Sequence, residues 1–440
     1  MKPAPATREL FDVTCPFCGL LCDDLEIRTD GTELAVSASP CTLRDTRFAL
    51  AALPSGPRLR PAVDGVPSTL DQAVARAAGI LGAARQPLLG GLGTDTAGLR
   101  SVMRLADRCG AVVDHMNRAA TSRNIRVLQD SGWVTTTLSE VFNHADLVIV
   151  LGQAPMRNFP RLWERILSTT DPRADRRRPL FLGEPGRRRV IALAADGPAG
   201  PTLPPGDSTT TLDIGLEQLG AVAALLRALL ADAPLQSPGI GGLDIASLSA
   251  LAEALRQARY SVVIWAAGEW TFPHAGLAIE MWCELARDLN RSTRSAVLPL
   301  GGSEGDLSAN QVCTWQAGYP LPTAFARACP EHDPYLYDSA RMLERGEADA
   351  LLWVSSFSPE AAPPASALPT IVVGHPGHAF SSPPAVFIPV GVPGIDHAGH
   401  LYRADSVVAL PLSRLRDSGL PSAASVIDAI TGRLPAGAGA

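Results

Sequence analysis

Short, continuous apolar segments alternate with helical segments along most of this chain. The apolar segments lack a period-two alternation of polar and apolar residues, which is typical of parallel strands covered by helices on both faces. We predict strands at QPLLGGLG, AVVDH, DLVIVLG, RPLFLGE, VIALA, SVVIWAAG, SAVLPLGG, ALLWVSSF, TIVVGH and AVFIPV. The fold class is therefore α/β, with two doubly wound, largely parallel units.

Two of the predicted helices are marked by their ends as well as by their spacing. Thr69 and Gln72 form a capping box, after which Val74, Ala77, Ala78 and Leu81 share one face. The next helix has a buried stripe and a glycine stop, at Leu99, Val102, Met103, Ala106 and Gly110.

Glycine and proline interrupt this pattern near the N-terminus. The stretch LPSGPRLRP at 53–61 predicts a linker, so a Cys-rich lobe of residues 1–57 precedes the α/β core. We assign 58–118 and 321–412 to a first α/β domain, 119–320 to a second, and 413–440 to a C-terminal helix and tail. Most predicted strands end in glycine, and ligands of such sheets bind beyond these ends.

The amino-acid composition argues against a nucleic-acid-binding or membrane protein. The 440 residues are 46% hydrophobic and 19% charged, as in ordinary core-forming proteins, and the net charge of −6 gives no basic surface for nucleic acid. No apolar run reaches the roughly 18 residues of a membrane span, and the start of the chain lacks an apolar signal core. We therefore expect a cytoplasmic protein with neither nucleic acid nor membrane as partner.

Four cysteines in the first tenth of the chain form the clearest candidate site. Cys15, Cys18 and Cys22 stand at C-x2-C-x3-C, and Cys41 follows. This spacing suits an iron–sulfur cluster, in which tight turns bring three thiolates together and a distant segment supplies the fourth. Zinc is an alternative, although a four-thiolate zinc site normally has a second C-x2-C, and unligated thiols are another. The scattered Cys109, Cys283, Cys313 and Cys329 are expected to be small apolar residues.

The stretch GGSEG at 301–305 matches the G-x-S-x-G pattern of hydrolases. Asp396 and His400 follow in the chain order of a triad. The next residues, DLSANQV, are not expected to begin the helix that a nucleophile elbow requires. The hydrolase interpretation of Ser303 is therefore weak.

Two H-x2-H pairs and two arginine runs have simpler structural interpretations. His375/His378 and His397/His400 stand among glycine and proline, so we predict hydrogen-bonded loop histidines rather than metal ligands. The runs RADRRR and RRR at 187–189 are interpreted as solvated surface, with a rim that contacts phosphates or a partner protein as the alternative.

Five stretches resemble the B subunit of formylmethanofuran dehydrogenase, a branch of the molybdopterin oxidoreductases. They are CPFCGLLCDDLEI with the later Cys41, ADLVIVLGQAP, SANQVCTWQAGYP, GEADALLWVSSFSPE and GIDHAGHLYRADSVVALPL. The resemblance implies a small cluster-binding lobe and two interleaved α/β units that clasp a tungsten or molybdenum pterin, with no C-terminal β-barrel. It also implies that Cys15, Cys18, Cys22 and Cys41 are the ligands of a 4Fe–4S cluster.

The family's metal ligand does not carry over to this sequence. Redox-active members have a cysteine or selenocysteine, followed by histidine, just after the segment that here is AVVDHMNRAATSRN. Ala120 and Thr121 stand at the matching positions, and alanine offers no donor to a heavy metal. Ser122 is the nearby alternative. The resemblance thus implies that the pterin metal is absent and that this chain has no catalytic residue of its own.

This loss fits the bacterial formyltransferase/hydrolase complexes of the family. Their A, B, C and D subunits pass a formyl group from a tetrahydromethanopterin carrier through methylofuran and hydrolyse it to formate, which needs no electrons. The resemblance implies a mainly structural B subunit of one-carbon (formaldehyde oxidation) metabolism, with homologues of the A, C and D subunits as partners. The alternative is a redox-active formylmethanofuran dehydrogenase subunit that uses a pterin metal centre and the 4Fe–4S cluster.

Overall fold

A computed structural model describes residues 7–52, 59–169, 178–182, 188–194, 203–204, 208–235, 238–326 and 329–434. These residues form two compact units. The first comprises the described residues of Met1–Ala38, Thr42–Arg118 and Gly302–Ala440, and the second those of Ser39–Cys41 and Ala119–Gly301. The predicted tail, most of the predicted linker and most of RADRRR lie outside the described residues.

The chain begins with a small antiparallel sheet. Strands β1 (Arg8–Val13), β2 (Leu25–Thr29) and β3 (Leu34–Ser37) pair in that order, and helix α1 (Thr42–Leu50) follows. Leu25 and Ile27 of β2 are buried. Three short strands and one helix cannot bury enough apolar surface to be stable alone, so this segment depends on its packing against the rest of the first unit.

The first unit continues with β4 (Ala62–Val63), β5 (Val66–Pro67), α2 (Leu70–Ala83), β6 (Pro87–Gly93), α3 (Thr96–Cys109) and β7 (Val112–Val113). Both predicted helices are confirmed. Thr69 is the N-cap of α2 and forms the reciprocal capping box with Gln72. Gly110 ends α3 with a φ of 66°, a left-handed conformation that glycine adopts without a steric penalty.

The second unit contains a five-stranded parallel sheet with the order β10-β9-β8-β13-β14. Strands β8 and β13 are buried along their whole length, which explains their continuous apolar sequences. The elements are α4 (Arg118–Asp130), α5 (Leu138–His144), β8 (Leu147–Leu151), α6 (Ala154–Asn158), β9 (Arg189–Leu193), β10 (Thr209–Leu212), α7 (Leu219–Leu230), β11 (Gly239–Ile240), β12 (Leu243–Asp244), α8 (Ile245–Gln257), β13 (Tyr260–Trp265), α9 (Ala275–Leu289) and β14 (Arg294–Pro299).

The chain then returns to the first unit with α10 (Asp306–Ala317), β15 (Thr323–Ala324), β16 (Glu331–His332), α11 (Ser339–Glu344), β17 (Ala350–Ser355), β18 (Thr370–Gly374), β19 (Val386–Pro389), β20 (Gly399–Tyr402), β21 (Ala409–Leu412) and α12 (Ala423–Thr431). The main sheet has the order β16-β15-β7-β6-β17-β18-β19-β4-β5. Its five central strands are parallel and its outer strands antiparallel. The α/β class with largely parallel sheets is confirmed. None of the helices described here has the length and apolar character of a membrane span.

Two predictions about local structure are wrong. The stretch RPLFL forms no strand, because the Leu180 amide donates to Asn143 and the Phe181 ring stacks on His144 with 4.3 Å between centroids. The stretch DLSANQV does begin a helix, α10. Gly302 and Gly305 turn the chain with left-handed φ values, and Asp306 accepts a hydrogen bond from the Gly302 amide. A glycine turn starts this helix without a serine or threonine cap.

The interpretation of residues 187–189 as solvated surface is wrong at Arg188. Its side chain is buried and donates to five main-chain carbonyl oxygens at 2.6 to 3.0 Å, those of Val141, Phe142, Ala145, Ile166 and Leu167. These carbonyls lie at the end of α5 and at the end of a short π-helix at Trp163–Leu167. Helix ends leave carbonyls without partners and favour positive charge, so Arg188 joins two such ends.

We predict that Arg188→Met destabilises the protein by about 3 kcal/mol or more, because several buried carbonyls lose their donor while the aliphatic volume is kept. The midpoint of urea unfolding measures this change. Arg189→Met, at the exposed neighbouring position, serves as the control and should cost less than about 0.5 kcal/mol. Equal losses in the two variants would contradict the role given to Arg188.

Candidate functional site

The first three cysteines lie in a compact loop between β1 and β2. The Cys15 amide donates to the Cys22 carbonyl at 2.8 Å, and the Leu21 amide donates to the Cys18 carbonyl at 3.0 Å. All three cysteines are buried, as is Cys41, which directly precedes α1. We call residues 15–22 the cysteine loop. Its turns and its burial are those expected of a segment that presents several thiolates to one inorganic group.

The cysteine loop is held closely against the first unit. Gly302 has a φ of 103°, and a Cβ at this position would lie 2.5 Å from the Cα of Gly19. The Ala404 amide also donates to the Gly19 carbonyl at 2.6 Å. Near the other end of the loop, Pro16 packs at 3.2 Å from the place of a Cβ on Gly394. Two glycines thus allow the cysteine loop to approach the main chain of the unit.

Helix α1, which follows Cys41, is fixed to the same region. The rings of Phe17 and Phe48 meet edge to face with 5.2 Å between centroids. Arg416 donates to the Ala51 carbonyl just beyond α1 and forms a buried ion pair with Asp396, both at 2.6 Å. The predicted separate lobe is therefore packed against residues from the C-terminal part of the chain.

The turn at 302–305 connects these parts to the loop between β7 and α4. The Glu304 carboxylate lies 3.3 Å from the Arg47 guanidinium of α1, and its side chain is only 10% exposed. Burial raises the pKa of Glu304, which Arg47 partly offsets. His115 donates through Nε2 to the Glu304 carbonyl at 3.1 Å, and Asn117 donates to the Ser303 carbonyl at 3.0 Å. Burial lowers the pKa of His115 to about 4, so this imidazole is neutral.

Sequence reasoning identified the four cysteines but missed Arg47, Glu304 and His115. No motif marks them, since each becomes notable only through partners that are distant in sequence. The glycines on both sides of Glu304 are a local signal, because a charged residue between two turn glycines often has a fixed position.

The four cysteines are predicted to be the ligands of an iron–sulfur cluster. Four buried thiols are the ligands that an iron–sulfur cluster requires. Within the described residues, no three His, Cys, Asp or Glu side chains form a ligand group for a metal ion. A cluster with several irons spaces its thiolates more widely than a single zinc ion with bonds of about 2.3 Å does. Ligation by the four cysteines therefore stays a prediction.

The second unit has a different feature at the end of β8. Gly152 has a φ of 75°, and a Cβ there would lie 2.0 Å from Oε1 of Glu269. The same carboxylate accepts hydrogen bonds from the Gln153 and Ala154 amides at 3.3 and 3.0 Å, and burial raises its pKa. In parallel sheets, phosphate groups commonly bind amides at this position. Here the chain's own carboxylate occupies them.

Ala120 and Ser122, which the resemblance places at or beside the family's metal ligand, lie on α4. Ala120 is partly buried and packs against the hydrophobic core of the second unit. Ser122 is buried, and its hydroxyl has no hydrogen-bond partner among the described residues. Alanine supplies no donor, and the amides after β8 are already satisfied. These residues do not fit a tungsten or molybdenum pterin.

Three of the four paired histidines, His375, His378 and His397, have side-chain hydrogen bonds, as predicted. His375 accepts from the Gly377 amide, and His378 contacts Ser355 and the Pro359 carbonyl. Burial lowers the pKa of both rings, to about 4 for His375. His397 contacts the Ala398 carbonyl. His400 lies exposed on strand β20, so the prediction of a loop is wrong there.

The positions of Ser303, Asp396 and His400 do not support the hydrolase interpretation. Asp396 accepts from Arg416 and the Val392 amide, and no hydrogen bond among the described residues joins Ser303 to Asp396 or His400. Of the four scattered cysteines, Cys109, Cys283 and Cys313 are buried as predicted, whereas Cys329 is exposed.

Known proteins resemble this chain over most of its length. The B subunit of the tungsten-containing formylmethanofuran dehydrogenase 2 of Methanocaldococcus jannaschii is 26% identical over 407 residues, which cover 90% of this chain and 91% of that protein. A chain in the crystal structure of the formyltransferase/hydrolase complex (FhcABCD) from Methylorubrum extorquens with methylofuran is 28% identical. It aligns with a TM-score of 0.68 over 85% of this chain and 98% of that chain. No protein-family model matches the sequence.

A further relative in Methylorubrum extorquens is the B subunit of the formyltransferase/hydrolase complex Fhc. It is 32% identical over 348 residues, which cover 77% of this chain and 87% of the relative. The similarity therefore includes the α/β units as a whole and is not limited to one motif. This chain belongs to the family of the B subunit of the formyltransferase/hydrolase complex.

Proposed function

We propose that this chain is the structural B subunit of a methylofuran-dependent formyltransferase/hydrolase complex in one-carbon metabolism. The observation that carries the proposal is the 32% identity to the B subunit of Fhc over 87% of that protein. The structural match to a chain of the FhcABCD complex supports it. The partners are homologues of the A, C and D subunits, which carry out formyl transfer and hydrolysis.

Two features of the chain support a structural role without a pterin metal. Ala120, at the position of the family's metal ligand, has no lone pair to donate. The Glu269 carboxylate accepts hydrogen bonds from the amides after β8 and places a negative charge where a phosphate of the cofactor would need positive potential. Formyl transfer and hydrolysis involve no net redox change, so the complex does not require this chain to hold a redox metal.

We also propose that Cys15, Cys18, Cys22 and Cys41 hold a 4Fe–4S cluster. The burial of all four thiols and the folded cysteine loop support this assignment. When bound, such a cluster can transfer one electron, and it also crosslinks segments that are distant in sequence. In a structural protein the second effect is the useful one, because the N-terminal segment is small. Cysteines bind iron as thiolates and must therefore be kept from forming disulfides, which suits a cytoplasmic location.

The retained cysteines favour one second candidate function. A chain that keeps four cluster ligands could belong to a redox-active formylmethanofuran dehydrogenase, and the tungsten-containing relative of Methanocaldococcus jannaschii is similar over 90% of this chain. In that case Ser122 would have to supply the missing donor. The packing of Ala120 against the core and the position of Glu269 argue against this candidate.

We predict that the tagged chain, co-expressed with homologues of the A, C and D subunits, is recovered as one complex with formyl-hydrolysing activity. Omission of this chain should reduce the recovery of the assembled complex, because its role is to hold the other components together. Size-exclusion chromatography and a formate assay measure the two results. Full assembly and full activity without this chain would contradict the structural role.

Metal content provides a separate prediction for the cysteines. Anaerobically purified complex should contain about four iron atoms and four sulfides per copy of this chain. Cys18→Ser should lose most of this iron, since one of the three thiolates of the loop is removed. Cys283→Ser, at a buried cysteine in α9, is the matched control and should keep it. Iron that is absent from the wild type, or equal in both variants, would remove the cluster from the proposal.

A further inference from the structure

The turn at 302–305 contacts residues of the cysteine loop, of α1 and of the segment that leads into α4. We propose that this turn couples the cysteine site to the loop at 114–118, so that filling the cysteine site orders that loop. The part of this inference that concerns filling rests on the proposed cluster. The mechanical coupling itself rests on three contacts of the turn.

The first contact joins the turn to the cysteine loop. Gly19 and Gly302 approach so closely that a Cβ on Gly302 would lie 2.5 Å from the Cα of Gly19. The Gly19 carbonyl is fixed from another side by the Ala404 amide at 2.6 Å. Neither glycine has a side chain that could absorb a displacement. A shift of the cysteine loop must therefore move the turn.

The second contact joins the turn to the helix that follows Cys41. Arg47 of α1 lies 3.3 Å from the Glu304 carboxylate and 3.6 Å from that of Glu360. The Arg47 and Glu304 side chains are 17% and 10% exposed, so solvent screens this pair only weakly. The cysteine loop and the helix after Cys41 thus reach the same four-residue turn.

The third contact passes from the turn to the loop at 114–118. The Asn117 amide donates to Nδ1 of His115 at 2.9 Å, so the neutral ring carries its proton on Nε2 and donates to the Glu304 carbonyl at 3.1 Å. The Asn117 side chain donates to the Ser303 carbonyl at 3.0 Å. Two neighbouring carbonyls of the turn thereby hold the residues that immediately precede α4.

The turn itself has few alternative conformations. Gly302, Glu304 and Gly305 all have positive φ, at 103°, 51° and 73°. Left-handed φ is unfavourable for a glutamate and persists only where the surroundings impose it. A displacement at Gly302 would therefore change the direction of the Ser303 and Glu304 carbonyls. This is a contiguous chain of contacts from the cysteine loop to the start of α4, and its coupling can be measured.

The test is amide hydrogen exchange of the full chain assembled with its partner proteins. Gly302→Ala places a methyl group against Gly19, and we expect exchange to become roughly tenfold faster both at 15–22 and at 112–118. Gly318→Ala is the matched control. Gly318 has a φ of 82° at the other end of α10, and no atom of the described residues lies within 4 Å of its Cβ position, so its substitution should accelerate neither segment. Faster exchange at 15–22 alone would overturn the coupling.

A milder variant tests the same coupling with the fold preserved. Iron loading of the wild type should slow exchange at both segments, whereas in Asn117→Ala the slowing at 112–118 should be clearly smaller, because the bond to the Ser303 carbonyl is missing and only the His115 bond to the Glu304 carbonyl remains. A response at 112–118 that stays as large in this variant as in the wild type would also overturn the proposal. If the wild type takes up no iron, the proposed cluster is wrong, and the Gly302→Ala comparison still decides the coupling.

Discussion

The position of the cysteine loop in the first unit depends on the close approach of Gly19 to Gly302. The N-terminal strands and α1 cannot form a stable core alone, so their position is fixed by what they touch. Gly19 meets the turn before α10, Pro16 meets Gly394, and Arg416 binds the carbonyl beyond α1. The cysteine loop and the end of α1 are therefore held in place by the α/β fold itself. The proposed cluster would add to this packing.

The two units differ in what they keep of the family's chemistry. The first retains a loop of buried thiols, which suits an iron–sulfur cluster. In the second, Ala120 stands where the resemblance to redox-active members implies a metal ligand, and the Glu269 carboxylate accepts hydrogen bonds from amides that could bind a phosphate. The Glu269 carboxylate at these amides is consistent with the absence of a phosphate-bearing cofactor, because a buried carboxylate and a phosphate would repel each other there. These features agree with the proposed structural role in a complex.

Sequence alone predicts the elements whose pattern is local. The continuous apolar runs of β8 and β13 and the capping box at Thr69 are enough to place strands and helices. The prediction of a strand at RPLFL is wrong because apolar residues can also be exposed, as Phe181 is at 58%. The prediction that Arg188 is exposed is wrong because a run of arginines does not show which of its side chains is buried. The contact that positions the cysteine loop, between Gly19 and Gly302, joins residues nearly 300 positions apart, and no local sequence pattern contains that information.

We propose that this chain holds its complex together without a tungsten or molybdenum centre, because Ala120, at the position that the resemblance implies for the metal ligand, has no donor atom. Elemental analysis of the intact, anaerobically purified complex for these two metals tests it most directly, with crystallographic anomalous scattering to locate any that are found. We predict that both metals stay far below one atom per copy of this chain. One tungsten or molybdenum per copy, located in this chain, would contradict the account.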